Sequence, residues 1–338
     1  MYYISFPGLG IEPFHIDKIA FTVFGHGIAW YGILITCGMI LAVLYALHIA
    51  KFEGITSDDL IDFAFAVIII GVIGARLYYV IFKWDSYFVW NSYVPDGGNA
   101  VLGQIGNFFT NLWATLRNII AVWEGGLAIY GGIIAGLITA FVYSRVKKLS
   151  MLKLFDILVP CVLIGQVIGR WGNFINIEAY GSETTLPWRM GILYSYSDTG
   201  ITTGIWDIEH YVHPAFLYES LWNLVGLIIV ISTYKKKKFD GQWFCSYLIW
   251  YGFGRMLIEG LRTDSLMLGN LRISQGVGFI SVILGICLMT YFFKKKKSSD
   301  SKGDGYTPIY SEATADKADK TNHENDSDIV EKPEKREE

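Results

Sequence analysis

Seven apolar stretches, each long enough to cross a bilayer as a helix, dominate this sequence and restrict it to a membrane fold. A spanning helix needs roughly 20 predominantly apolar residues, and charged residues make up only 17% of the 338-residue chain. The stretches cover residues 24–48, 59–82, 123–144, 153–170, 214–234, 243–261 and 276–293. The sequence therefore predicts an all-α, polytopic membrane protein with seven transmembrane helices.

The positions of the Lys and Arg clusters predict how these spans are oriented. Such clusters favour the cytoplasmic side of a membrane, and here they follow every odd-numbered span. They lie at Lys51, 145–148, 235–238 and 294–297. All four clusters lie on the cytoplasmic side only if the N-terminus lies outside and the C-terminus lies in the cytoplasm. We therefore expect residues 1–23 to be extracytoplasmic and residues 294–338, which are polar and charged, to form a disordered cytoplasmic tail.

Two long segments between spans are predicted to lie on the outer side. Residues 83–122 include a stretch from Ile105 to Val122 with apolar and polar residues at helical spacing, which is typical of a helix in the membrane interface. Residues 171–213 are polar and contain glycines, and we expect them to form a small extracytoplasmic cap. One transmembrane domain over residues 24–293 would carry both segments.

Metal, redox and nucleic-acid chemistry leave no signature in the sequence. The four cysteines lie far apart inside apolar stretches, and no CxxC pair is present. No His, Cys and Asp cluster has metal-ligand spacing, so neither a metal nor a cofactor is predicted. No basic stripe interleaves with aromatic residues as in nucleic-acid-binding proteins, so nucleic acid is not an expected partner.

Ionisable residues inside the apolar stretches are the strongest functional signal, because a charge at the bilayer centre costs at least about 2.5–3.5 kcal/mol. Arg255, Glu259 and Arg262 have i, i+4, i+7 spacing, which predicts one shared helix face. Arg255 would lie about 18 Å from the inner helix end, and Arg76 and Arg170 would reach a similar depth from two other spans. We expect an excess of cations there, suited to bidentate phosphate binding. The alternative is an internal salt-bridge network around Glu259.

The segment 169–181, GRWGNFINIEAYG, is the most unusual in the chain because polar residues follow an apolar span at once. Its glycines permit tight turns, and the amides of Asn173 and Asn176 can donate and accept hydrogen bonds. With Arg170 and Glu178, the segment is predicted to be a loop that binds a lipid headgroup. The alternative is an ordinary loop that ends a span.

Two further segments place polar side chains at the outer ends of spans. His213 precedes a proline that suits the first turn of the fifth span, and Glu219 would follow about two turns inward. A helix cap with one buried acid is the alternative there. Near the chain start, His26 and Trp30 are predicted to share a helix face, with Tyr31 at the outer end of the first span. An aromatic belt is the alternative for Tyr31.

Taken in order along the chain, these segments resemble the prolipoprotein diacylglyceryl transferase family. The 169–181 segment is very similar to the signature of that family, and other matching motifs run from about residue 24 to 290. They are Trp30-Tyr31-Gly32, Gly74-Ala75-Arg76-Leu77, Glu124-Gly125-Gly126 with Gly131-Gly132, His213-Pro214 with Leu217-Tyr218-Glu219, and Gly254-Arg255 with Glu259 and Arg262. Residues 83–122 and 298–338 lie outside the resemblance.

The resemblance implies an enzyme of the bacterial plasma (inner) membrane whose active site opens to the outer leaflet. Its substrates would be phosphatidylglycerol and the lipobox cysteine of prolipoprotein signal peptides. The reaction would form a thioether and release glycerol phosphate, as the first step of bacterial lipoprotein maturation. It would need no cofactor.

Carried over by position, the resemblance implies that the residues that matter most are Arg170, Asn173, Glu178, Arg255, Glu259 and Tyr31. The chemical demands of the reaction then suggest a hypothesis for individual roles. Arg255 and Arg170 would hold the phosphate, with Arg76 as a supporting cation, and Glu259 would hold the Arg255 side chain. The other residues expected to bind substrate are Tyr31, Asn173, Asn176, Glu178, His213 and Arg262.

One position departs from the family pattern. The best-known form of the family has a histidine, proposed as a general base, before the Gly-Gly of the third span, and Tyr130 stands there instead. Tyrosine, with a pKa near 10, is a poor base at neutral pH. Tyr130 stays among the expected catalytic residues, but Glu259, Glu178 and His26 are all candidates for accepting the thiol proton.

Two other functions are compatible with seven spans and intramembrane arginines. One is a transporter of an anionic solute, and the other is a lipid-binding scaffold without catalysis. Transporters often have paired halves with broken helices near the midplane, whereas here the charges lie toward one face and no such halves are visible. A mass increase on a lipobox peptide would separate the enzyme from both alternatives.

Overall fold

A computed structural model of the chain describes residues 2–88, 100–122, 125–194, 207–263, 267–269 and 271–300. This part of the chain is mostly helical. The helices are α1 (Trp30–Ala50), α2 (Ser57–Phe82), α3 (Trp84–Tyr87), α4 (Ala100–Ile120), α5 (Ile129–Val146), α6 (Met151–Asn176), α7 (Ala215–Thr233), α8 (Gln242–Glu259) and α9 (Ile273–Asp300). The first residues of the predicted disordered tail, 294–300, are helical because α9 continues through them, and the rest of the tail lies outside the described residues.

Six of the described helices, α1, α2, α5, α6, α7 and α9, are long and apolar enough to cross a membrane. Large apolar side chains such as Phe65, Ile138 and Ile228 are exposed along them, as contact with lipid requires. The chain is therefore a multi-pass membrane protein. The remaining predicted span corresponds to α8, which is less apolar because it carries Arg255 and Glu259.

The chain divides into two compact units. The first consists of Met1–Ile55 and Phe155–Glu338, and the second of Thr56–Leu154. The first unit contains α1, nearly all of α6, and α7 to α9, whereas the second contains α2 to α5.

In the second unit, α2 and α5 approach each other through glycines. A Cβ atom on Gly74 would lie 2.3 Å from the Cβ atom of Ala135, and one on Gly131 would lie 2.4 Å from the Gly74 carbonyl oxygen. No larger residue fits, which is the small-residue packing common between membrane helices. At the start of α2, the Thr56 hydroxyl accepts a hydrogen bond from the backbone N–H of Asp59 at 3.2 Å, which caps the helix.

In the first unit, two tryptophans join α7 to α8. The rings of Trp222 and Trp250 stack with 4.3 Å between centroids, and each indole N–H donates to the carbonyl of the other residue at 3.1 Å. Gly226 and Gly254 provide the space, since a Cβ atom there would lie 2.5 Å and 2.2 Å from an indole nitrogen. These contacts bury two polar N–H groups without leaving either unsatisfied.

Short β-strands, which the sequence analysis did not predict, complete the first unit. Four of them form an antiparallel sheet in the order β2-β1-β5-β6, and the others form two hairpins, β3-β4 and β7-β8. The strands are β1 (Tyr2–Phe6), β2 (Ile11–His15), β3 (Ile19–Val23), β4 (His26–Ala29), β5 (Met190–Tyr194), β6 (Asp207–Val212), β7 (Met267–Leu268) and β8 (Leu271–Arg272).

The four-stranded sheet packs on the ends of α6 and α7. Ile4 of β1 pairs with Ile192 of β5, and both side chains are buried with Phe216 of α7, against which Phe174 of α6 packs. The N-terminal segment and the residues before α7 therefore form one layer at this end of the first unit.

Two helix boundaries differ from the sequence prediction in ways that affect the site. The first helix begins at Trp30 rather than near residue 24, because the preceding residues turn at Gly25 (φ +80°) and form β4. His26 and Trp30 therefore do not share a helix face. At the other boundary, α6 continues to Asn176 instead of ending at residue 170, so most of the predicted headgroup loop is helical.

Candidate active site

Glu219 is the centre of the most highly charged part of the first unit. It lies in the second turn of α7 and is 4% exposed. Arg255 Nη1 donates to its Oε1 atom at 2.9 Å, Arg170 Nη2 lies 2.5 Å from Oε2, and Arg262 Nη1 lies 3.5 Å from Oε1. The sequence analysis placed Glu219 about two turns into the fifth span, with a buried acid as the alternative, but did not count it among the site residues, although an acid inside an apolar helix was the available signal.

Glu259 is the second carboxylate of this group and lies at the end of α8. Arg255 Nη2 lies 2.6 Å from its Oε2 atom, and Arg262 Nε lies 4.0 Å from the same oxygen. Arg272 donates to the Glu259 backbone carbonyl. The contact between Arg255 and Glu259 that i, i+4 spacing predicts is therefore present. Arg262 lies beyond the end of the helix, so the predicted single helix face is wrong for that residue.

We call Arg170, Arg255, Arg262, Glu219 and Glu259 the arginine cluster. Three guanidinium groups, which stay protonated at any physiological pH, face two carboxylates, so the formal balance is one positive charge. The arginine side chains are 19%, 17% and 11% exposed, and the carboxylates only 5% and 2%. A buried excess of positive charge with partly accessible donors favours an anionic ligand.

A chain of hydrogen bonds extends the arginine cluster along the end of α6. Arg170 Nη1 donates to Asn173 Oδ1 at 3.1 Å. Asn173 Nδ2 in turn donates to Glu178 Oε1 at 2.8 Å, and Asn176 Nδ2 lies 3.4 Å from that oxygen. Hydrogen bonds therefore join the polar residues of the predicted headgroup loop, but these residues lie in the last turns of α6 and just after it.

The end of α6 is shaped to turn Glu178 back toward those amides. Ile177 has a left-handed backbone, with φ of +55°, and its N–H donates to the Phe174 carbonyl while the Glu178 N–H donates to the Asn173 carbonyl. This is the glycine-favouring helix termination of the Schellman type, here formed by a β-branched residue. The strain, on the order of 1–3 kcal/mol, is offset by the surrounding contacts.

Tyr31 packs against the same end of α6. A Cβ atom on Gly172 would lie 2.4 Å from the Cδ2 atom of Tyr31, so the ring fills the space above the glycine. The hydroxyl lies within electrostatic range of Glu178 and Arg170. The predicted substrate-binding residues Tyr31, Arg170 and Glu178 are thus brought together.

His213 lies just before α7 and contributes a neutral side chain. Its Nδ1 atom lies 3.2 Å from the Tyr218 hydroxyl, which accepts a hydrogen bond from Trp188 Nε1 at 2.7 Å. Burial lowers the pKa of His213 below its usual value, so the charge of this region at neutral pH comes from other groups. The backbone N–H of Gly181 also donates to the His213 carbonyl, which joins the residues after α6 to the start of α7.

Arg76 and Tyr130, the other two predicted site residues, belong to the second unit. The Arg76 guanidinium directs its N–H groups at backbone carbonyl oxygens between residues 118 and 126. Tyr130 is the second residue of α5 and is half-buried. His26, named as a candidate base, lies exposed in β4 of the first unit. Within the described ranges, no group of three His, Cys, Asp or Glu side chains is arranged to hold a metal ion.

These features define a class of protein: a multi-pass membrane protein with a cation-rich site at helix ends. The chain belongs to the prolipoprotein diacylglyceryl transferase family, whose sequence profile matches residues 18–291. The resemblance found in the sequence is thereby confirmed, and with it the prediction of a transferase that acts in lipoprotein maturation.

Similar relatives cover most of the chain. The phosphatidylglycerol–prolipoprotein diacylglyceryl transferase of Clostridioides difficile (strain 630) is 42% identical over 287 residues, which are 85% of this chain and 100% of the relative. The Finegoldia magna protein of the same name is 42% identical over 288 residues, again 85% and 100%. The Listeria innocua protein of that name is 38% identical over 284 residues, 84% of this chain and 92% of the relative.

Proposed function

We propose that the chain transfers the diacylglyceryl group of phosphatidylglycerol to the lipobox cysteine of prolipoprotein signal peptides at the arginine cluster. The observation that carries this proposal is the convergence of three guanidinium groups on Glu219 with an excess positive charge. Relatives 42% identical to the chain are named for phosphatidylglycerol and prolipoprotein. Phosphatidylglycerol supplies the phosphate that such a site binds.

The reaction makes two chemical demands. The cysteine sulfur attacks the glyceryl carbon that bears the phosphate, a carbon–sulfur bond forms, and the carbon–oxygen bond to the phosphate breaks. The sulfur attacks as a thiolate, although a free thiol has a pKa of about 8.5. Glycerol phosphate leaves with the bonding electrons and gains negative charge, which fixed donors must stabilise.

Arg170 and Arg255 meet the second demand. Each directs one nitrogen at Glu219, while Arg255 also contacts Glu259 and Arg170 also donates to Asn173. Because a guanidinium group has five N–H donors in a rigid plane, these contacts fix both groups in place and leave further donors for phosphate oxygens. Stabilisation by donors fixed before the reaction needs no reorganisation in the transition state.

The remaining predicted residues would position the headgroup and move the thiol proton. The residues proposed to bind substrate are Arg262 of the arginine cluster, Asn173 and Asn176 of its extension along α6, Tyr31 and His213. Glu178 is the favoured proton acceptor, because its hydrogen bonds come from neutral amides, whereas Glu259 lies against Arg255 and Arg262. Tyr130 remains a proposed catalytic residue of the second unit.

The proposed topology has seven spans, which are the six helices named above and α8. The basic residues at or just after the C-terminal ends of α1, α5, α7 and α9 fall on one side of the membrane only if α8 also crosses. The N-terminus and the arginine cluster then face the outside of the bacterial inner membrane, with the four-stranded sheet as part of an extracytoplasmic cap. Helix α4 would lie in the interface, and the C-terminal tail would be cytoplasmic. Labelling of single cysteines from each side of sealed vesicles tests this arrangement.

The function itself is tested with purified protein, phosphatidylglycerol vesicles and a synthetic lipobox peptide. We expect the peptide to gain the mass of one diacylglyceryl group and glycerol phosphate to appear in equal amount, whereas a peptide with serine in place of cysteine stays unchanged. Uptake of an anionic solute without peptide modification would indicate the transporter instead. Phosphatidylglycerol binding without product would indicate a scaffold.

A further inference from the structure

Arg76 has every one of its N–H groups occupied by the protein itself. Nε donates to the carbonyl of Ile119 at 2.9 Å, and Nη2 to those of Asn118 at 2.7 Å and Ala121 at 3.0 Å. Nη1 donates to the carbonyls of Gly125 and Gly126. A guanidinium group has five N–H donors, so none is left for a phosphate oxygen.

Tyr87 covers one face of the guanidinium plane. The Arg76 guanidinium carbon lies 5.0 Å from the ring centroid of Tyr87, a cation–π contact, and the residue is only 4% exposed. Gly126 has φ of +75°, and a Cβ atom there would lie 2.7 Å from Arg76 Nη1. Glycine is therefore required at position 126, because a side chain there would keep the turn from approaching Arg76.

Two of the carbonyls that Arg76 binds, those of Asn118 and Ile119, are among those that the end of α4 leaves unsatisfied. The last four carbonyls of an α-helix have no partner within it, and they form the negative end of the helix dipole. Arg76 of α2 thus closes the C-terminal end of α4 and, with the same group, the turn that leads into α5 and Tyr130.

Helix α4 itself presents an apolar surface outward. Phe109 and Trp113 are 63% and 71% exposed, whereas Asn111 and Thr115 on the other face are buried. This pattern, with apolar residues exposed and polar residues buried, is the reverse of that in a helix exposed to water. It is suited to a helix whose outer face contacts lipid.

We propose that Arg76 is a positioning residue that anchors α4 at a fixed depth in the membrane interface and holds the turn before Tyr130. It is not a ligand of the phosphate, in contrast to its role as a supporting cation in the sequence analysis. The anchoring does not depend on the reaction, whereas the activity readout below rests on the proposed function.

The depth of Trp113 in lipid tests the anchor directly. Vesicles of phosphatidylglycerol brominated at successive acyl positions quench tryptophan fluorescence by depth, and the Trp113 signal is the difference between the protein and its Trp113→Phe variant. In Arg76→Gln we expect the bromine position of maximal quenching to move or the Trp113 quenching to fall by at least half. Arg117→Gln, which removes an exposed arginine of the same helix, is the control and should leave the profile unchanged.

Steady-state kinetics on the same variants separate an anchor from a ligand. For Arg76→Gln we expect kcat to fall about tenfold with little change in KM for phosphatidylglycerol, because the lipid does not touch Arg76. An unchanged Trp113 profile together with a raised KM would overturn the proposal and restore Arg76 as a phosphate ligand. Because quenching needs no turnover, absence of transfer in the unaltered protein would count against the proposed function alone.

Two further variants cover the case in which Arg76→Gln does not fold. Arg76→Lys keeps the charge but has only three donors for five carbonyls, so an intermediate change in Trp113 quenching is expected. Gly126→Ala pushes the turn away from the arginine and should shift Trp113 in the same direction. Unaltered quenching in both variants would equally overturn the anchor.

Discussion

Helices α6, α7 and α8 have a charged cluster at each end, and the two clusters accommodate buried charge differently. At one end lies the arginine cluster, with three cations and two carboxylates. At the other end Lys237 contacts the carboxylates of Glu53, Asp156 and Asp240. We call these four residues together with Tyr234 the lysine cluster.

The lysine cluster is closed by partners within the protein. Lys237 Nζ lies 2.5 Å from Glu53 and 3.2 Å from Asp156. The Tyr234 hydroxyl donates to Glu53 at 3.0 Å, and Asp156 accepts two backbone N–H groups at the start of α8, at 2.8 Å and 3.0 Å. The side chains of Lys237 and Asp156 are 7% and 0% exposed. This cluster joins the end of α1 to three other helices.

The difference shows why one cluster is proposed as a site and the other as a structural element. In the lysine cluster the carboxylates outnumber the cation, but backbone N–H groups and a hydroxyl supply the missing donors. In the arginine cluster the cations are in excess and partly exposed, and a guanidinium group has no acceptor of its own. The missing partner there is an anion, which a phospholipid headgroup supplies.

The largest expected effect on this comparison comes from Lys237→Met. Removing one partner of a buried ion pair leaves uncompensated charge and costs about 3–5 kcal/mol. We expect that loss in the free energy of unfolding in detergent, with the transfer rate per folded molecule within twofold of the original. Lys238→Met, at the exposed neighbouring lysine, is the control and should change stability by less than about 0.5 kcal/mol. If Lys237→Met lost transfer activity but kept normal stability, the lysine cluster would not be a purely structural element.

The pH dependence of that stabilisation sharpens the assignment. Burial by itself would lower the pKa of Lys237, but Asp156 and Glu53 outweigh it and raise the pKa above the usual value. A raised pKa stabilises the fold fully below the unfolded value of about 10.4, and the effect is lost as pH rises through the folded-state pKa. The stability difference between the protein and Lys237→Met should therefore show no decline between pH 7 and 9. A steady decline over that interval would show that Lys237 is not held as a cation.

Next in size is Arg255→Ala, which should abolish transfer without unfolding the protein. Loss of one fixed donor to a developing anion costs roughly 100- to 1,000-fold in kcat, about 2.7–4 kcal/mol. Product formation on the lipobox peptide measures this, and thermal unfolding in detergent shows that the protein is intact. Arg145→Ala, at the exposed end of α5, is the matched control. Normal transfer by Arg255→Ala would remove the arginine cluster from the mechanism.

The sequence predicted the helices well because their signal is local. Length and hydropathy within one stretch suffice to place α2 or α7, and i, i+4 spacing suffices to pair Arg255 with Glu259. The pairing of Ile4 with Ile192 could not be predicted in the same way, since it depends on a strand partner far along the chain. The strands are also too short to show a clear alternating pattern.

The site was only half predictable for a similar reason. Arg170, Arg255 and Arg262 were recognised because charges in apolar stretches are exceptional. That Glu219 is the shared partner of these arginines depends on how three helices meet. Residue spacing within a single helix carries no information about this. Arg76 looked the same as the other arginines in the sequence, and only the five carbonyls around it show that its donors are already used.

A smaller effect is expected from Glu219→Gln, which tests whether the carboxylate orients the arginines. The amide keeps the shape of the side chain but presents an N–H group toward one guanidinium group. The guanidinium groups of the arginine cluster therefore lose their fixed orientation. We expect kcat/KM to fall about 10- to 100-fold, equivalent to about 1.4–2.7 kcal/mol, while phosphatidylglycerol still binds because the net positive charge rises by one. Glu53→Gln in the lysine cluster is the comparison and should alter stability rather than kcat/KM. Equal kinetic losses in both variants would contradict the distinction between the two clusters.

The smallest expected effect comes from Gly172→Ala, which disturbs the arginine cluster only through Tyr31. The added methyl group would lie 2.4 Å from the Tyr31 ring, so the ring must leave its position against the end of α6. Overpacking of this kind typically costs about 1–3 kcal/mol, and we expect a roughly tenfold lower transfer rate at saturating lipid. Gly165→Ala, in the same helix with nothing within 4 Å of the new Cβ atom, should be neutral or slightly stabilising. If both alanine variants transferred at the original rate, Tyr31 would be an aromatic residue of the membrane interface and would have no part in positioning the headgroup.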